Sequence, residues 1–286
     1  AAVLIPVVCG IADESGYSRS RLLMPLVFAA ALGGNLSIIG APGNLMGVNA
    51  LQEMGLSTSF FMYAPVGVPM LVLGILYFVF IGYRFLPNGN HAAGEALEDQ
   101  QEFSHVPKWK QTVSLVVLIL VILAMIFEKE IGISIEVSAC IGAIVLVLTG
   151  VISEKEALKS IDLKVVFLFG GSLTLAKALD TTGAGELIAD KIVGLLGADP
   201  SPILLLLVIF IVTCVLTNFM SNTATTALMI PIAVSLANNL GADPRAVVIA
   251  TVIAGSCAYA TPIGMPANTM VVGLGGYKFK DYVKSG

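Results

Sequence analysis

The sequence predicts an all-α polytopic membrane protein with an internal repeat and broken helices. Three observations carry that prediction. Of the 286 residues, 57% are hydrophobic and only 12% charged, with a mean hydropathy of +0.93. A soluble domain carries about 25% charged residues, so half of its polar cover is missing here. Several apolar stretches approach the ~20 residues that a helix needs to cross a bilayer. Finally, a glycine-rich interruption containing G-x-P-x-N occurs twice. Large soluble enzymes, nucleic-acid binders and disordered chains are excluded on these grounds.

The elements follow in order. Residues 1–11 are apolar up to Asp13-Glu14, and residues 22–32 lead into the break Gly33-Gly34-Asn35-Leu36-Ser37-Ile38-Ile39-Gly40-Ala41-Pro42-Gly43-Asn44. A short helix resumes at Leu45, and residues 60–86 form a span. Residues 87–111 are the hydrophilic linker, with His91 and His105 as its solvated histidines. Residues 112–127 and 135–152 are the next spans, followed by an interfacial charged helix at 154–162 and a span at 163–179. Lys177 and Asp180 stand near that span's end, three residues apart, where they can pair with each other. An intramembrane lysine is also a functional candidate by default. Residues 202–216 lead into Thr217-Asn218-Phe219-Met220-Ser221-Asn222-Thr223-Ala224-Thr225, and an apolar helix then runs to Leu240. The last span, from Ala246, breaks at residues 258–268 and resumes to Gly273.

The duplication fixes the organisation. Ala2-Val3-Leu4-Ile5-Pro6 parallels Ala227-Leu228-Met229-Ile230-Pro231, Gly16 parallels Gly241, and Gly40-Ala41-Pro42-Gly43-Asn44 parallels Gly264-Met265-Pro266-Ala267-Asn268. Three regions result. Residues 1–86 are the C-terminal part of a first repeat, with a hairpin arm, a broken helix and one span. Residues 87–111 are a cytoplasmic linker, and residues 112–286 a second repeat without its last helix. Pro231 lies ten residues after Ser221, whereas Pro6 has five residues before it. The first copy of the Ser-Asn-Thr stretch is therefore expected just ahead of Ala1, and this chain is expected to be a fragment that does not transport by itself.

With the linker inside and spans alternating, eleven of the fifteen basic residues face inward. Lys129, Lys191 and Arg245 face outward, and Lys177 lies within a span. The positive-inside rule is obeyed, and the two copies enter from opposite faces. Inverted repeats with broken helices are the signature of a secondary transporter.

Non-helical backbone at membrane depth must line a polar site. Thr217, Ser221, Asn222 and Thr223 bring hydroxyl and amide oxygens, which are hard ligands suited to a small cation. The helix beginning after Asn222 aims free N–H groups and its positive dipole end at the same place, which favours an anion. Pro42 and Pro266 fit the first turn of a resumed half-helix. The four cysteines are dispersed with no C-x-x-C pair, and no hydrolase, Walker or zinc-protease motif occurs. Enzyme activity and a resident cofactor are not expected.

These motifs resemble the divalent anion–sodium symporter family, the dicarboxylate, citrate and sulfate carriers of the ion transporter superfamily. The residues that carry the resemblance are Thr217 with Ser221-Asn222-Thr223, Ala260-Thr261-Pro262 through Asn268, the 33–44 break, and Gly170-Gly171-Ser172 through Lys177. The chain departs from the family pattern at Pro42-Gly43 and Pro266-Ala267, where two prolines usually precede Asn, and at Asn35. The resemblance implies an elevator-type homodimer in the bacterial inner membrane. By it, Thr217, Ser221, Asn222 and Ala260 would hold one Na⁺, and Gly34 and Asn35 would serve another. Asn222, Thr223, Thr261 and Pro262 would face a substrate carboxylate. The expected function is Na⁺-coupled symport of a di- or tricarboxylate. Its rivals are a sulfate or other oxyanion carrier or exchanger on the same fold, an anion channel, and a scaffolding or sensory membrane protein.

Overall fold

The computed structural model describes residues 4–87, 107–161, 163–184, 187, 191 and 201–286. Helix is the only regular secondary structure among them. The helices are α1 (Leu4–Ser15), α2 (Arg19–Gly34), α3 (Pro42–Glu53), α4 (Ala64–Phe80), α5 (Lys108–Ile126), α6 (Glu128–Ile131), α7 (Ile135–Leu148), α8 (Glu154–Lys159), α9 (Leu163–Thr182), α10 (Pro202–Thr217), α11 (Asn222–Leu240), α12 (Pro244–Gly255), α13 (Pro266–Gly275) and α14 (Phe279–Ser285). Most of the expected linker, the residues Ala2 and Val3 of the repeat, and the side chains of Ser172, Lys177 and Asp180 lie outside the described residues.

Local chemistry sets the helix ends. Ser201 and Ser221 cap α10 and α11, their hydroxyls accepting from Leu204 N–H and Ala224 N–H at 3.3 Å each. The prolines Pro42, Pro202, Pro244 and Pro266 occupy first-turn positions, where no N–H is needed. Gly16 and Gly241 follow α1 and α11 with φ of 73° and 62°, a left-handed turn that favours glycine. Each thus closes the turn into a helix that later breaks.

Two compact units result, residues 97–164 and the remainder, which comprises Ala1–Ala96 and Val165–Gly286. In the smaller unit, α5 packs on α7. Lys110 donates to Val151 O at 3.1 Å and lies over the Trp109 ring, as an interfacial anchor pair does. Glu156 and Ser153 form a reciprocal cap on α8. The Ser153 N–H and hydroxyl hold the Glu156 carboxylate below the usual carboxylate range.

In the larger unit, α2 packs on α13 and α12 packs on α3, so each broken helix lies against the other's resumed half. Ile5, Leu23, Val27, Phe28, Val271 and Tyr282 build one core, and Leu205, Ile209, Leu236 and Val247 another. Gly47 lets α3 approach α12 closely, since a Cβ there would fall 2.5 Å from the Tyr63 hydroxyl and 2.7 Å from Val252. Tyr277 enters α2 directly. Its hydroxyl accepts from Met24 N–H at 2.8 Å and donates to Ser20 O at 2.6 Å, standing inside the helical hydrogen bond just ahead of Pro25.

The outer faces are apolar. Val68, Val72, Leu73, Leu76 and Phe80 of α4 and Leu115, Leu118, Leu120 and Leu123 of α5 are exposed, the inverse of a soluble protein's distribution and the pattern that lipid requires.

The expected spans at 60–86 and 135–152 contract to α4 and α7, while those at 112–127 and 163–179 lengthen to α5 and α9. Among the described residues, α5 alone is an apolar helix of at least 18 residues, while α4, α7, most of α10 and α12 have 10–17. At 1.5 Å per residue those reach ~15–26 Å across a ~30 Å core. The expected 60–86 span contracts to α4 because Phe60 O accepts from Ile38 N–H at 3.1 Å, which holds the chain around Phe60 against the first break. A short helix, α14, also follows α13, beyond the Gly273 at which the last expected span ends. Tyr282, fully buried, anchors it.

The α1–α2 turn is tied by Arg19, which donates to both carboxylate oxygens of Asp13 at 2.9 and 2.6 Å. The guanidinium holds the Asp13 carboxyl below its ordinary value. A depressed carboxylate stabilises the fold above the ordinary carboxylate range, and that contribution fades as pH falls through the lowered value. Asp13→Asn is therefore expected to lower the detergent-solubilised thermal midpoint at neutral pH, with the difference from wild type closing in acid.

Candidate ion and anion site

The second break is held together by a polar network around the α10–α11 turn. Thr217 is fully buried and its hydroxyl donates to Gly255 O at 2.6 Å. The Asn222 carboxamide faces Thr217 Oγ1 at 2.8 Å, Gly264 O at 2.9 Å and Gly255 O at 3.2 Å. With its nitrogen toward them, its two hydrogens are shared among the three acceptors. With its oxygen toward them, four oxygens converge and only the Thr217 hydroxyl is a donor. The Asn222 backbone N–H also donates to Gly264 O at 3.0 Å.

Asn218 joins the turn to the break. Its Oδ1 accepts from Ala260 N–H at 3.1 Å, its Nδ2 donates to Cys214 O at 2.7 Å, and its backbone O accepts from the Thr261 hydroxyl at 2.6 Å. Pro262 O accepts from the Thr269 hydroxyl at 2.8 Å. Ser221 is the α11 cap, and the Thr223 N–H finds no acceptor among the described residues.

The structure thus gathers Thr217, Asn222, Ala260, Thr261 and Pro262 around one break. Gly34 and Asn35 belong to the other break. Asn35 is 1% exposed, and neither its Oδ1 nor its Nδ2 has a partner among the described residues. The two breaks are linked through Thr226, one turn beyond Asn222, whose hydroxyl donates to Asn222 O at 2.8 Å. A Cβ on Gly43 of α3 would fall 2.9 Å from Thr226 Oγ1, and one on Gly255 would also meet it. Both glycines therefore let the broken helices close on α11.

Sequence reasoning missed Asn218, Thr226 and Gly264. Gly264 was visible as the first residue of its G-x-P-x-N motif, and the geometry shows why glycine stands there. A Cβ would strike Ala258 and lie 2.5 Å from Thr217 O. Asn218 sits beside the Ser-Asn-Thr stretch without periodicity to mark it.

A family model described as citrate transporter matches residues 1–250 and again 122–285. The chain belongs to the citrate transporter family. Members of a transporter family are multi-pass integral membrane proteins, in keeping with the outward apolar faces. An uncharacterized transporter of Haemophilus influenzae is 28% identical over 307 residues, covering 100% of this chain and 64% of that protein. An uncharacterized transporter of Methanocaldococcus jannaschii is 28% identical over 283 residues, 96% of this chain and 62% of that protein. The sodium-dependent dicarboxylate transporter SdcS of Staphylococcus aureus is 28% identical over 289 residues, 94% of this chain and 55% of that protein. This citrate transporter family chain therefore spans between about half and two thirds of the length of these relatives.

Thr217→Val would remove the hydroxyl that donates to Gly255 O and faces the Asn222 carboxamide, at about 1–3 kcal/mol for a buried group left without its partner. Thermal unfolding in detergent is expected to show that loss, and Thr217→Ser to restore most of it.

Proposed function

We propose that this chain carries ion- and anion-binding elements of a Na⁺-coupled di- or tricarboxylate symporter. The observation that carries the reading is the oxygen cluster at Asn222. A carboxamide facing Thr217 Oγ1, Gly255 O and Gly264 O can turn its nitrogen inward, or it can turn its oxygen inward around a hard cation. Exchange between those two states is a way to couple ion occupancy to the shape of the break. Ser221 and the Ala260 carbonyl, which accepts no hydrogen bond among the described residues, complete the oxygen set for one Na⁺.

The substrate side rests on α11. The unpaired Thr223 N–H lies at the positive end of a 19-residue helix, where a carboxylate is stabilised without a charged side chain. Asn222, Thr223, Thr261 and Pro262 are assigned to it. Gly34 and Asn35 are assigned to a second Na⁺, supported by the unpartnered Asn35 amide. The name of the S. aureus relative, a sodium-dependent dicarboxylate transporter, supports the choice of Na⁺ and of a carboxylate.

The inverted relation of the two halves is supported by their matched breaks and reciprocal packing. The elevator movement, the homodimer and a role without a resident cofactor rest on the family resemblance. A bacterial inner-membrane location rests on the bacterial relatives.

The test is uptake of labelled succinate, citrate and sulfate into proteoliposomes carrying the full-length protein, with and without a Na⁺ gradient. Na⁺-dependent uptake of a carboxylate that Asn222→Ala abolishes is the expected result. Sulfate uptake alone would move the cargo to an oxyanion. Uptake indifferent to both Na⁺ and the substitution would overturn the site.

A further inference from the structure

The Asn that ends each G-x-P-x-N motif performs one and the same task in both halves. Asn44 donates through Nδ2 to Gly34 O at 2.9 Å and to Ser37 O at 2.7 Å. Asn268 donates through Nδ2 to Ala258 O and to Thr261 O, both at 2.9 Å. The acceptors lie ten and seven residues before the donor in each case. Each asparagine is in turn held from behind, because Asn44 O accepts from the Tyr63 hydroxyl at 2.8 Å and Asn268 O from the Tyr282 hydroxyl at 2.9 Å.

Both asparagines are 0% exposed, and the Oδ1 of each is buried without a partner among the described residues. A stranded buried acceptor is destabilising. Tolerating it twice argues that what the Nδ2 accomplishes outweighs the cost. Only a short carboxamide supplies two hydrogens at this reach: Asp has none when ionised, Ser and Thr have one, and Gln is longer.

The two breaks otherwise share little, one reading Asn35-Leu36-Ser37-Ile38-Ile39 and the other Tyr259-Ala260-Thr261-Pro262-Ile263. An identical hydrogen-bond register over unlike sequence points to a required loop shape. In the second half that shape bears directly on the candidate site. The clamped Thr261 is the residue whose hydroxyl reaches Asn218, and the clamped Ala258 is where a Cβ on Gly264 would collide.

We propose that Asn44 and Asn268 are positioning residues for transport. Each clamps two carbonyls of its own break and thereby holds the remaining backbone oxygens in the arrangement that the coupling ion meets. Neither residue touches the ion. The proposal rests on the Na⁺-coupled reading above.

The experiment measures Na⁺ half-activation and maximal rate of anion uptake in proteoliposomes for the full-length wild type, Asn44→Ser, Asn268→Ser and Tyr282→Phe. Only the monodisperse fraction of each is reconstituted. Removal of a group that orients metal ligands typically weakens metal affinity by about tenfold or more, so each Ser variant is expected to raise Na⁺ half-activation by about that factor. Tyr282→Phe keeps the ring and the clamp but frees the clamp's backbone. It is expected to shift half-activation the same way by about threefold, and it serves where a Ser variant does not fold. A purely structural role would reduce the yield of folded protein while leaving half-activation within about twofold of wild type, and that result overturns the proposal. Should the wild type take up anion without Na⁺, the coupling assignment falls by itself. The clamps are then read from the substrate KM, and an unchanged KM in all three variants overturns them too.

Discussion

A helix that stops inside hydrocarbon leaves backbone donors and acceptors that no water can reach. The larger unit of this protein stops two helices and restarts them as two others, α3 and α13. Everything near the candidate site follows from how those stranded groups are satisfied. Proline at the first position of each resumed helix removes one donor. Gly264 brings neighbouring backbone near enough for backbone-to-backbone closure, and Gly43 makes room for the Thr226 side chain. Polar side chains without charge, Thr217, Asn218, Asn222 and the two motif asparagines, satisfy several more. A charged group would hold these carbonyls more strongly, but burying one that lacks a counterion is far more costly.

In the site proposed above, the same economy would let anion and cation share one place. Backbone dipoles and carboxamides present positive and negative ends within a few ångströms and carry no net charge. Selectivity then depends on geometry, and geometry depends on groups that do not touch the ligand. Asn218 is one such group, since a single carboxamide receives the Ala260 N–H and donates to Cys214 O. Thr226 is another, packed where glycines from both broken helices meet it.

Much of this was legible in the sequence. Low charge, proline and glycine positions and the duplicated motif led to the broken helices, and the succession of glycine turn, helix, break and resumed helix matches the structure from Gly16 to α3 and from Gly241 to α13. Thr217 and Asn222 were recognised because hydroxyl and amide groups in an apolar run demand a partner. The motif asparagines were noticed as a pattern yet given no task, because a buried carboxamide looks alike in sequence whether it binds a ligand or mends its own backbone. Only distances separate the two. The terminal helix α14 was missed for a related reason. The expected elements end at Gly273, and beyond it one buried tyrosine, Tyr282, decides the packing.

The Tyr277 hydroxyl inside α2 has a mechanical consequence. A phenol has one hydrogen to give, so the relay from Met24 N–H through Tyr277 to Ser20 O runs in a single direction and saturates all three groups. Neither α2 nor the turn after α13 can slide or swivel against the other without breaking both bonds together. The first half's broken helix and the tail of the second are therefore pinned to each other. In the elevator movement proposed above, the two would travel at the same stroke.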